Sequence, residues 1–244
     1  MVFGDSLSSG RKYQSLYNWE VKQVALTRAQ KISATMRARK INNFATWRLK
    51  AIKSGKIIVD FPPLKRDGDL AELTGVLLGE GHLQKFPRTE RLLIFSNSNN
   101  PGFIRRYTNL VEKLFKKKTY VYKQGGQNCT RISLYQKGIS ERLGIPTGAR
   151  GALSIVVPAW ILENRKYVVR YLRGLYEAEG SLSHHEPTST HKLSFSNMNA
   201  SMLENVFSLM SWLGFHPHRD AKRVQLSRKE EVRQAVELLQ FRRY

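Results

Sequence analysis

The chain of 244 residues repeats itself. Residues 73–81, with the sequence LTGVLLGEG, recur 99 positions later as residues 172–180, with the sequence LRGLYEAEG. The identical positions are Leu73 and Leu172, Gly75 and Gly174, Glu80 and Glu179, and Gly81 and Gly180. A displacement of about one small domain indicates that one structural unit is present twice.

Further matches follow in the same order along the chain. They are Phe-Ser-Asn at 95–97 and 195–197, and Arg-Ile-Ser-Leu at 131–134 against Arg-Val-Gln-Leu at 223–226. In each copy, starting at Phe103 and at Met202, apolar residues also recur at i, i+4, i+7, i+8 and i+11, which predicts an amphipathic helix. A single short match arises easily by chance, but several in one order indicate a duplication.

Each copy reads as a helix, a hairpin, a helix, a second hairpin and a final helix. In the first copy, strands are predicted at 82–86, 91–96, 119–123 and 129–135, on either side of turn-forming residues. Pro and Gly residues at 144–158 predict an irregular linker between the copies. The repeat therefore predicts a two-lobed α+β body with approximate two-fold symmetry.

Charge narrows the class of partner. The sequence has 41 Lys and Arg against 19 Asp and Glu, a formal net charge of +22. Such an excess repels itself in a compact chain, so nucleic acid is the expected partner, and a ribosome-associated or merely soluble basic protein is the alternative.

No apolar run approaches the ~18 residues of a membrane span, so no membrane contact is expected. The lone Cys129 excludes an internal disulfide. The predicted location is cytoplasmic and nucleoid-associated, with an organellar host as an alternative.

The motif segments are predicted to be helices with small residues on one face. Those positions are Gly75 and Gly79 in the first copy and Gly174 and Ala178 in the second. Residues four apart lie on the same side of a helix, so these faces can pack backbone to backbone. A glycine inside a helix costs up to ~1 kcal/mol relative to alanine, and close packing is the natural compensation.

Glu80 and Glu179 end the two predicted helices, each directly before a glycine. A carboxylate there faces the negative end of the helix dipole, and two carboxylates about 5 Å apart repel by roughly 3 kcal/mol at an effective dielectric constant near 20. A divalent cation would convert this cost into a binding site, because Mg²⁺ prefers oxygen ligands. Such an ion activates water and stabilises charge on a phosphodiester. The alternative is that Glu-Gly merely ends a surface helix.

Together these residues resemble the single-chain LAGLIDADG homing endonucleases. Residues 73–81 and 172–180 fill both nonapeptide motifs of that family, and the hairpins and helices follow in the family's order over about residues 67–244. The resemblance implies two pseudo-symmetric αββαββα units that form a saddle, with curved sheets in the major groove of a long, asymmetric DNA site. It implies a monomeric endonuclease that makes a double-strand break, with Mg²⁺ or Mn²⁺ as cofactor and double-stranded DNA as partner.

The resemblance also assigns roles to residues. Glu80 and Glu179, at the eighth motif position, would bind metal and each serve the cleavage of one strand, with the carbonyls of Gly79 and Ala178 as further metal ligands. Arg150 stands near the place where the family usually has a lysine close to the active site. The candidate DNA contacts on the sheets are Arg91, Ser96, Lys123, Arg131, Lys192, Ser196, Arg219 and Arg223.

The sequence departs from the family pattern at several places. Both motif acids are Glu where Asp is commoner, and Arg150 keeps the positive charge of the lysine but cannot readily act as a base. The counterpart of Arg150 should follow the last helix, where Arg242 is the candidate. The sixth motif position is Leu78 in one copy and Glu177 in the other, and it need not bind metal.

The first 66 residues hold 14 Lys and Arg but only 3 Asp and Glu, and Pro62-Pro63 separates them from the rest. Three short helices are predicted, at 16–25, 28–39 and 44–53, with Thr27 and Asn43 as N-caps and with Trp19 and Trp47 in a small core. This module is interpreted as a helix-turn-helix-like DNA reader or as a basic arm that follows phosphates. The predicted domains are therefore 1–66, 67–155 and 156–244.

Two other functions stay open for this sequence. One is a non-cleaving transcription regulator built on the same scaffold, and the other is a maturase that binds intron RNA; the presence of both glutamates disfavours a pure regulator.

The six His residues and one Cys lack a two-plus-two zinc spacing, so a zinc site is disfavoured. The sequence also lacks a GxxxxGKS or GxxxxGKT phosphate loop and the terminal residues of an intein, which disfavours nucleotide hydrolysis and protein splicing.

Overall fold

The structure is a computed structural model that describes residues 27–59, 61–188 and 190–244. The chain divides into two compact units, one that ends at Ile58 and one that runs from Val59 to Tyr244, called the N-terminal unit and the main unit below. The predicted helix at 16–25 and Trp19 lie outside the described residues. Within the described ranges, no helix is both long and apolar enough to cross a membrane.

The N-terminal unit contains two helices, α1 (Arg28–Ala38) and α2 (Asn43–Lys53). Thr27 begins α1 with a capping box, because its side chain accepts a hydrogen bond from the Gln30 amide and the Gln30 side chain accepts one from the Thr27 amide. The cap of α2 is Asn42 and not the predicted Asn43, since the Asn42 side chain accepts from the Ala45 amide. The prediction of a core around Trp47 is wrong, because Trp47 is 55% exposed.

The first repeat of the main unit begins with the motif helix. Its elements are α3 (Gly68–Gly79), β1 (Gly81–Lys85), β2 (Glu90–Asn97), α4 (Pro101–Phe115), β3 (Tyr120–Lys123), β4 (Cys129–Gln136) and α5 (Ile139–Leu143). The side chain of Asp67 caps α3 by accepting hydrogen bonds from the amides of Asp69 and Leu70. The four strands form one antiparallel sheet in the order β1-β2-β4-β3.

The second repeat follows the same plan after a one-turn helix. Its elements are α6 (Ala159–Leu162), α7 (Arg165–Glu179), β5 (Gly180–His185), a 3₁₀ turn (Glu186–Thr188), β6 (Thr190–Ser196), α8 (Ala200–Trp212), β7 (His218–Arg219), β8 (Arg223–Leu226) and α9 (Lys229–Leu239). The second antiparallel sheet has the order β5-β6-β8-β7. The equal order of the two sheets confirms the predicted fold class, a pair of αββαββα units.

The segment directly before α3 is part of the main unit and packs against its other elements. Leu64 is buried in the common core, and the backbone carbonyl of Pro62 accepts a hydrogen bond of 2.9 Å from Nε of Arg142. Pro62 and Leu64, which the sequence analysis assigns to the N-terminal module, therefore contact the first repeat or the common core.

The strand register differs from the repeat alignment that the sequence suggests. Gly81 pairs with Ile94 in the first repeat, whereas Gly180 pairs with Phe195 in the second, so Ile94 and Phe195 are the equivalent residues. The two Phe-Ser-Asn triplets are therefore not equivalent, because the hairpin between β5 and β6 is two residues longer than that between β1 and β2. The connection from the strand to the next helix is two residues shorter in the second repeat, which restores the spacing of 99.

Candidate functional site

The two motif helices, α3 and α7, pack against each other without side chains between them at two glycines. A Cβ atom on Gly75 would stand 2.2 Å from the carbonyl oxygen of Tyr171, and one on Gly174 would stand 2.2 Å from the carbonyl oxygen of Glu72. Both distances are far inside van der Waals contact, so no larger residue fits without a shift of backbone. The close approach that the small motif residues predict is therefore present.

The same packing brings the C-terminal ends of α3 and α7 side by side. A Cβ atom on Gly79 would stand 2.5 Å from Cβ of Ala178 and 3.0 Å from Cγ of Glu179. Glu80 follows Gly79 as the C-cap of α3, and Glu179 is the last residue of α7. The acids of the two motifs consequently meet at the seam between the repeats.

Electrostatics at this seam is unfavourable for the bare protein. Desolvation raises the pKa of Glu80, and the charge of Glu179 raises it further; desolvation also raises the pKa of Glu179. No cationic side chain of the described residues forms an ion pair with either carboxylate. Both carboxyl groups therefore hold their charge at a cost that a bound cation would relieve.

The donor atoms at the seam suit a hard divalent cation. Two carboxylates and the adjacent carbonyl groups of Gly79 and Ala178 supply oxygen only, which Mg²⁺ and Mn²⁺ accept. In the part of the chain that the structure describes, no three His, Cys, Asp or Glu side chains form a metal cluster. Water or phosphate oxygens would have to complete the coordination, as is usual for Mg²⁺.

Arg150 and Arg242 occupy equivalent places beside the two helix ends. Nη2 of Arg150 donates hydrogen bonds of 2.7 Å to the carbonyl oxygens of Leu77 and Gly81, while Nη2 of Arg242 donates one of 3.2 Å to the carbonyl of Gly180. Gly81 and Gly180 match in the repeat, so the two arginines do as well. Burial lowers the pKa of Arg150, and its Nη1 is buried with no partner in the structure.

The surroundings of Glu179, in the second repeat, differ from those of Glu80, in the first. Nδ2 of Asn197 donates a hydrogen bond of 3.4 Å to Oε1 of Glu179. Glu179 also opens into a groove of about 820 Å³ that Ser196, Lys222 and Arg223 line. Glu80 makes no side-chain hydrogen bond within the described ranges. The two carboxylates therefore have different surroundings, although the helices that carry them are equivalent in the two repeats.

Strand register shows which candidate DNA contacts share the sheet face that lies opposite the helices. Residues directly across an antiparallel pair point to the same side. Arg91 pairs with Tyr135 and Arg131 with Phe95, in rows that alternate with the buried row of Leu92. In the second sheet, Lys192, Ser196 and Arg223 lie in the corresponding rows. These five residues lie on what we call the open faces of the sheets.

Three of the candidate contacts lie on the other face. Ser96 and Lys123 both pair with Thr130, in a row on the side of the buried core. Arg219 pairs with the fully buried Val224, and its guanidinium donates a hydrogen bond to Glu204 of α8. These three side chains therefore lie on the face opposite to that of the other five, because a shift of one residue along a strand moves a side chain to the opposite face.

The open face of the first sheet holds its arginines in place by aromatic contacts. The guanidinium of Arg91 lies over the rings of Phe86 and Tyr135, 5.7 and 5.6 Å from their centroids. It also donates a hydrogen bond of 2.9 Å to the hydroxyl of Tyr135. Arg131 lies 5.7 Å from the centroid of Phe95. The sequence analysis did not find these stacks, although the pairing of strands 91–96 and 129–135 could have indicated them.

A buried ionic cluster across the seam was also missed. Glu72 of α3 is fully buried, and its carboxylate accepts hydrogen bonds from Nε of Arg106 and Nε of Arg170, both at 2.5 Å. Nε of Arg173 lies 3.7 Å from the same carboxylate. Glu177, at the sixth motif position, accepts hydrogen bonds from the amide of Arg242 and from another C-terminal residue, the hydroxyl of Tyr244. Both carboxylate oxygens of Glu177 therefore accept hydrogen bonds from protein groups.

Comparisons with known proteins agree with this architecture. The family model of the LAGLIDADG-like domain matches residues 166–243. Full-length DUF199/WhiA from Thermotoga maritima superposes with a TM-score of 0.53 and 16% identity, over 76% of this chain and 59% of that one. The homing endonuclease I-DmoI in complex with DNA and Mn gives a TM-score of 0.48 and 19% identity, over 70% of this chain and 96% of that one.

Two further comparisons with known proteins differ in outcome. The N-terminal LAGLIDADG domain of DUF199/WhiA gives a TM-score of 0.49 with 15% identity, over 76% of this chain and 89% of that one. A comparison with curated protein sequences finds no match. At such identities, structural likeness shows the fold and not the activity. Residues 166–243 form a LAGLIDADG-like domain, and the two repeats of this chain together have the LAGLIDADG fold.

Proposed function

We propose that this protein is a site-specific, metal-dependent DNA endonuclease that makes a double-strand break in a long, asymmetric target. The observation that carries the proposal is the meeting of Glu80 and Glu179 at the ends of two closely packed helices. Both carboxylates have raised pKa values and no cationic partner in the described structure. An arrangement that costs stability in the bare protein is typical of a site that serves catalysis.

Glu80 and Glu179 would hold Mg²⁺ or Mn²⁺ together with the carbonyl oxygens of Gly79 and Ala178. When bound, such an ion lowers the pKa of a coordinated water and stabilises the negative charge of a phosphodiester. Each carboxylate belongs to one repeat, so each is assigned to the cut in one DNA strand. Because both come from the same chain, a monomer suffices for the double-strand break.

Arg150 and Arg242 would support the reaction by charge and not by proton transfer. A guanidinium stays protonated, so neither arginine replaces a general base. The hydrogen bonds of Arg150 to the carbonyls of Leu77 and Gly81 fix its position beside the end of α3. Its buried and unpaired Nη1 is a donor that a phosphate oxygen of the scissile strand can satisfy.

The open faces supply the DNA-binding surface in this proposal. Arg91 and Arg131 on the first sheet and Lys192 and Arg223 on the second lie on the sides away from the helices. Arginine donates two hydrogen bonds to guanine in the major groove, and the aromatic stacks hold Arg91 and Arg131 ready for such contacts. Double-stranded DNA is therefore the proposed partner.

Replacement of the two motif acids tests the proposal. Glu80→Gln and Glu179→Gln should each abolish the cut in one strand, so that a supercoiled plasmid with the target accumulates as a nicked circle. The double variant should bind the target and cut neither strand. Glu230→Gln, a change in an exposed pair with Arg233, serves as the control and should leave cleavage unchanged. Full linearisation by the double variant would refute the assignment.

The same assay separates the alternatives. A transcription regulator on this scaffold would bind its duplex through the open faces without nicking it in Mg²⁺ or Mn²⁺. A maturase would bind folded intron RNA more tightly than any duplex. Wild-type protein that binds DNA tightly, fails to nick a randomised plasmid library and prefers intron RNA would favour the maturase.

A further inference from the structure

The N-terminal unit carries an unusually one-sided charge. Its described residues, 27–58, contain nine Lys and Arg and no Asp or Glu. Helix α1 buries none of its residues, and in α2 residues 44–50 and Lys53 are exposed, while Ala51 is buried. Two helices of 11 residues each are only marginally stable in water without packing partners, and their like charges repel. A partner with negative charge would relieve that repulsion.

An aromatic pair stands among these cations. Phe44 and Trp47 lie one turn apart on α2, with ring centroids 5.6 Å from each other, and they are 63% and 55% exposed. Ile32 and Leu49 are also exposed. An exposed aromatic pair on a small unit marks a surface for interaction. The surface therefore combines positive charge with flat aromatic rings.

The positions of the cations distinguish between polyanions. A helix that lies on a membrane separates its apolar face from its charged face. In α1, Arg28 and Arg37 are nine residues apart and so lie on opposite sides of the helix, at 3.6 residues per turn. In α2, Lys53 lies beside the exposed Leu49, one turn away. Cations on all sides fit the curved phosphate backbone of a duplex better than a flat lipid surface.

We infer that the N-terminal unit binds duplex DNA outside the stretch that the open faces cover. Its Lys and Arg side chains contact phosphates, and the Phe44–Trp47 pair packs on the sugars and base edges of the minor groove. The inference rests on the proposed function only in the identity of the polyanion. It adds affinity and length to the site and leaves the cleavage chemistry to the main unit.

The test uses full-length protein and two duplexes, a short one limited to the target and a long one extended on both sides. Phe44→Ala with Trp47→Ala should lower affinity for the long duplex about tenfold and leave the salt dependence unchanged, because these contacts are not ionic. Arg37→Gln, Arg39→Gln and Lys40→Gln together should flatten the slope of log affinity against log salt by up to about 3, about 0.9 per lost phosphate contact. Both variants should shorten the nuclease footprint.

Matched controls come from the main unit. Trp212→Ala removes an aromatic side chain that is 57% exposed on α8, and Lys229→Gln with Arg233→Gln removes two exposed cations of α9. None of these belongs to the open faces or the seam. They should leave affinity, salt slope and footprint as in the wild type on both duplexes.

Three results would overturn the inference. Equal footprints and affinities for wild type and variants on the long duplex would remove the DNA contact. Loss of affinity for RNA but not for DNA would assign the surface to RNA. A lower melting temperature of Phe44→Ala with Trp47→Ala in the absence of DNA would mean that the aromatic pair is covered by another segment of the chain. Failure of the proposed function gives a different pattern, in which footprints change as expected but the wild type never cuts.

Discussion

Gly75 and Gly174 touch across the seam between the repeats. A Cβ atom on Gly75 would stand 3.1 Å from Cα of Gly174 and 2.2 Å from the carbonyl oxygen of Tyr171. The two helices therefore meet through backbone atoms, which cannot move aside as a flexible side chain can. This contact sets how near Glu80 and Glu179 come to each other at the helix ends.

The first prediction concerns this contact. Gly75→Ala should lower the free energy of unfolding by about 3 kcal/mol or more, because the added methyl group forces the helices apart. It should also reduce cleavage, since the motif acids separate. Gly125→Ala is the control, because a Cβ there meets nothing within 4 Å. Urea unfolding followed by circular dichroism measures the difference, and equal midpoints for the two variants would contradict the packing.

The second prediction follows from the raised pKa values of Glu80 and Glu179. Carboxyl groups with raised folded-state pKa values contribute stability below their ordinary pKa near 4.5, and this stability is lost as pH rises through the folded-state values. Without divalent ions at pH 7, Glu80→Gln should therefore raise the free energy of unfolding by about 0.5 kcal/mol, the size of an exposed charge interaction. Below pH 4 the gain should disappear.

Thermal denaturation also tests cation binding without any cleavage assay. Added Mg²⁺ should raise the melting temperature of the wild type, because a ligand that binds only the folded state stabilises it. The double variant of Glu80→Gln and Glu179→Gln should show no such rise. An equal rise in both proteins would place the ion elsewhere.

The third prediction concerns the buried Glu72. Glu72→Gln removes the charge that three arginines share, so it should cost about 3–5 kcal/mol of unfolding free energy. The loss should persist at high salt, since buried pairs are poorly screened. Glu230→Gln, in an exposed pair with Arg233, should cost less than about 1 kcal/mol. A small loss at Glu72 would mean that the arginines find other partners.

The fourth prediction uses the strand register. Arg131→Gln should weaken binding of the target duplex by about 1–3 kcal/mol, because Arg131 lies on the open face. Lys123→Gln should have a much smaller effect, since Lys123 lies in a row of the opposite face. Fluorescence anisotropy at fixed salt measures both. A larger loss for Lys123→Gln would reverse the assignment of the faces.

The fifth prediction concerns Asn197, which positions Glu179 through a hydrogen bond. Asn197→Ala should slow the cut assigned to Glu179 and leave the other strand and the DNA affinity unchanged, so nicked plasmid accumulates. The pH profile of the slowed cut should shift, because the carboxylate loses a donor that favours its charged form. Ser96→Ala is the control at the equivalent position of the first repeat. It should leave both cuts unchanged, because the Ser96 hydroxyl donates its hydrogen bond to the carbonyl of Asn97 and not to Glu80. Equal slowing of both strands would rule out this role.

Duplication made much of the fold predictable from the sequence. Each sequence pattern occurs in both repeats, so the interpretation of one copy supports that of the other. These patterns predict the motif helices, the two hairpins per repeat and the small residues at the seam. The N-cap at Thr27 followed from local chemistry. The acids at Glu80 and Glu179 were found because both stand at the same place in a repeat.

Other features depend on distances that no sequence pattern fixes. The triplets at 95–97 and 195–197 match in letters but not in space, because a longer hairpin is compensated by a shorter connection. The faces of Lys123 and Arg219 follow from their partners across the sheet, which a single strand does not show. Glu72 belongs to a residue type that usually lies at the protein surface. Only the fold brings Arg106 and Arg170 to its carboxylate.

The cluster around Glu72 limits how such proteins can be recombined. Glu72 and Arg106 belong to the first repeat, whereas Arg170 and Arg173 belong to the second. A chimera that joined this first half to a foreign second half would bury an acid whose counter-charges had been left behind. Engineers who exchange halves to obtain new cutting preferences should therefore transplant these four residues as one set.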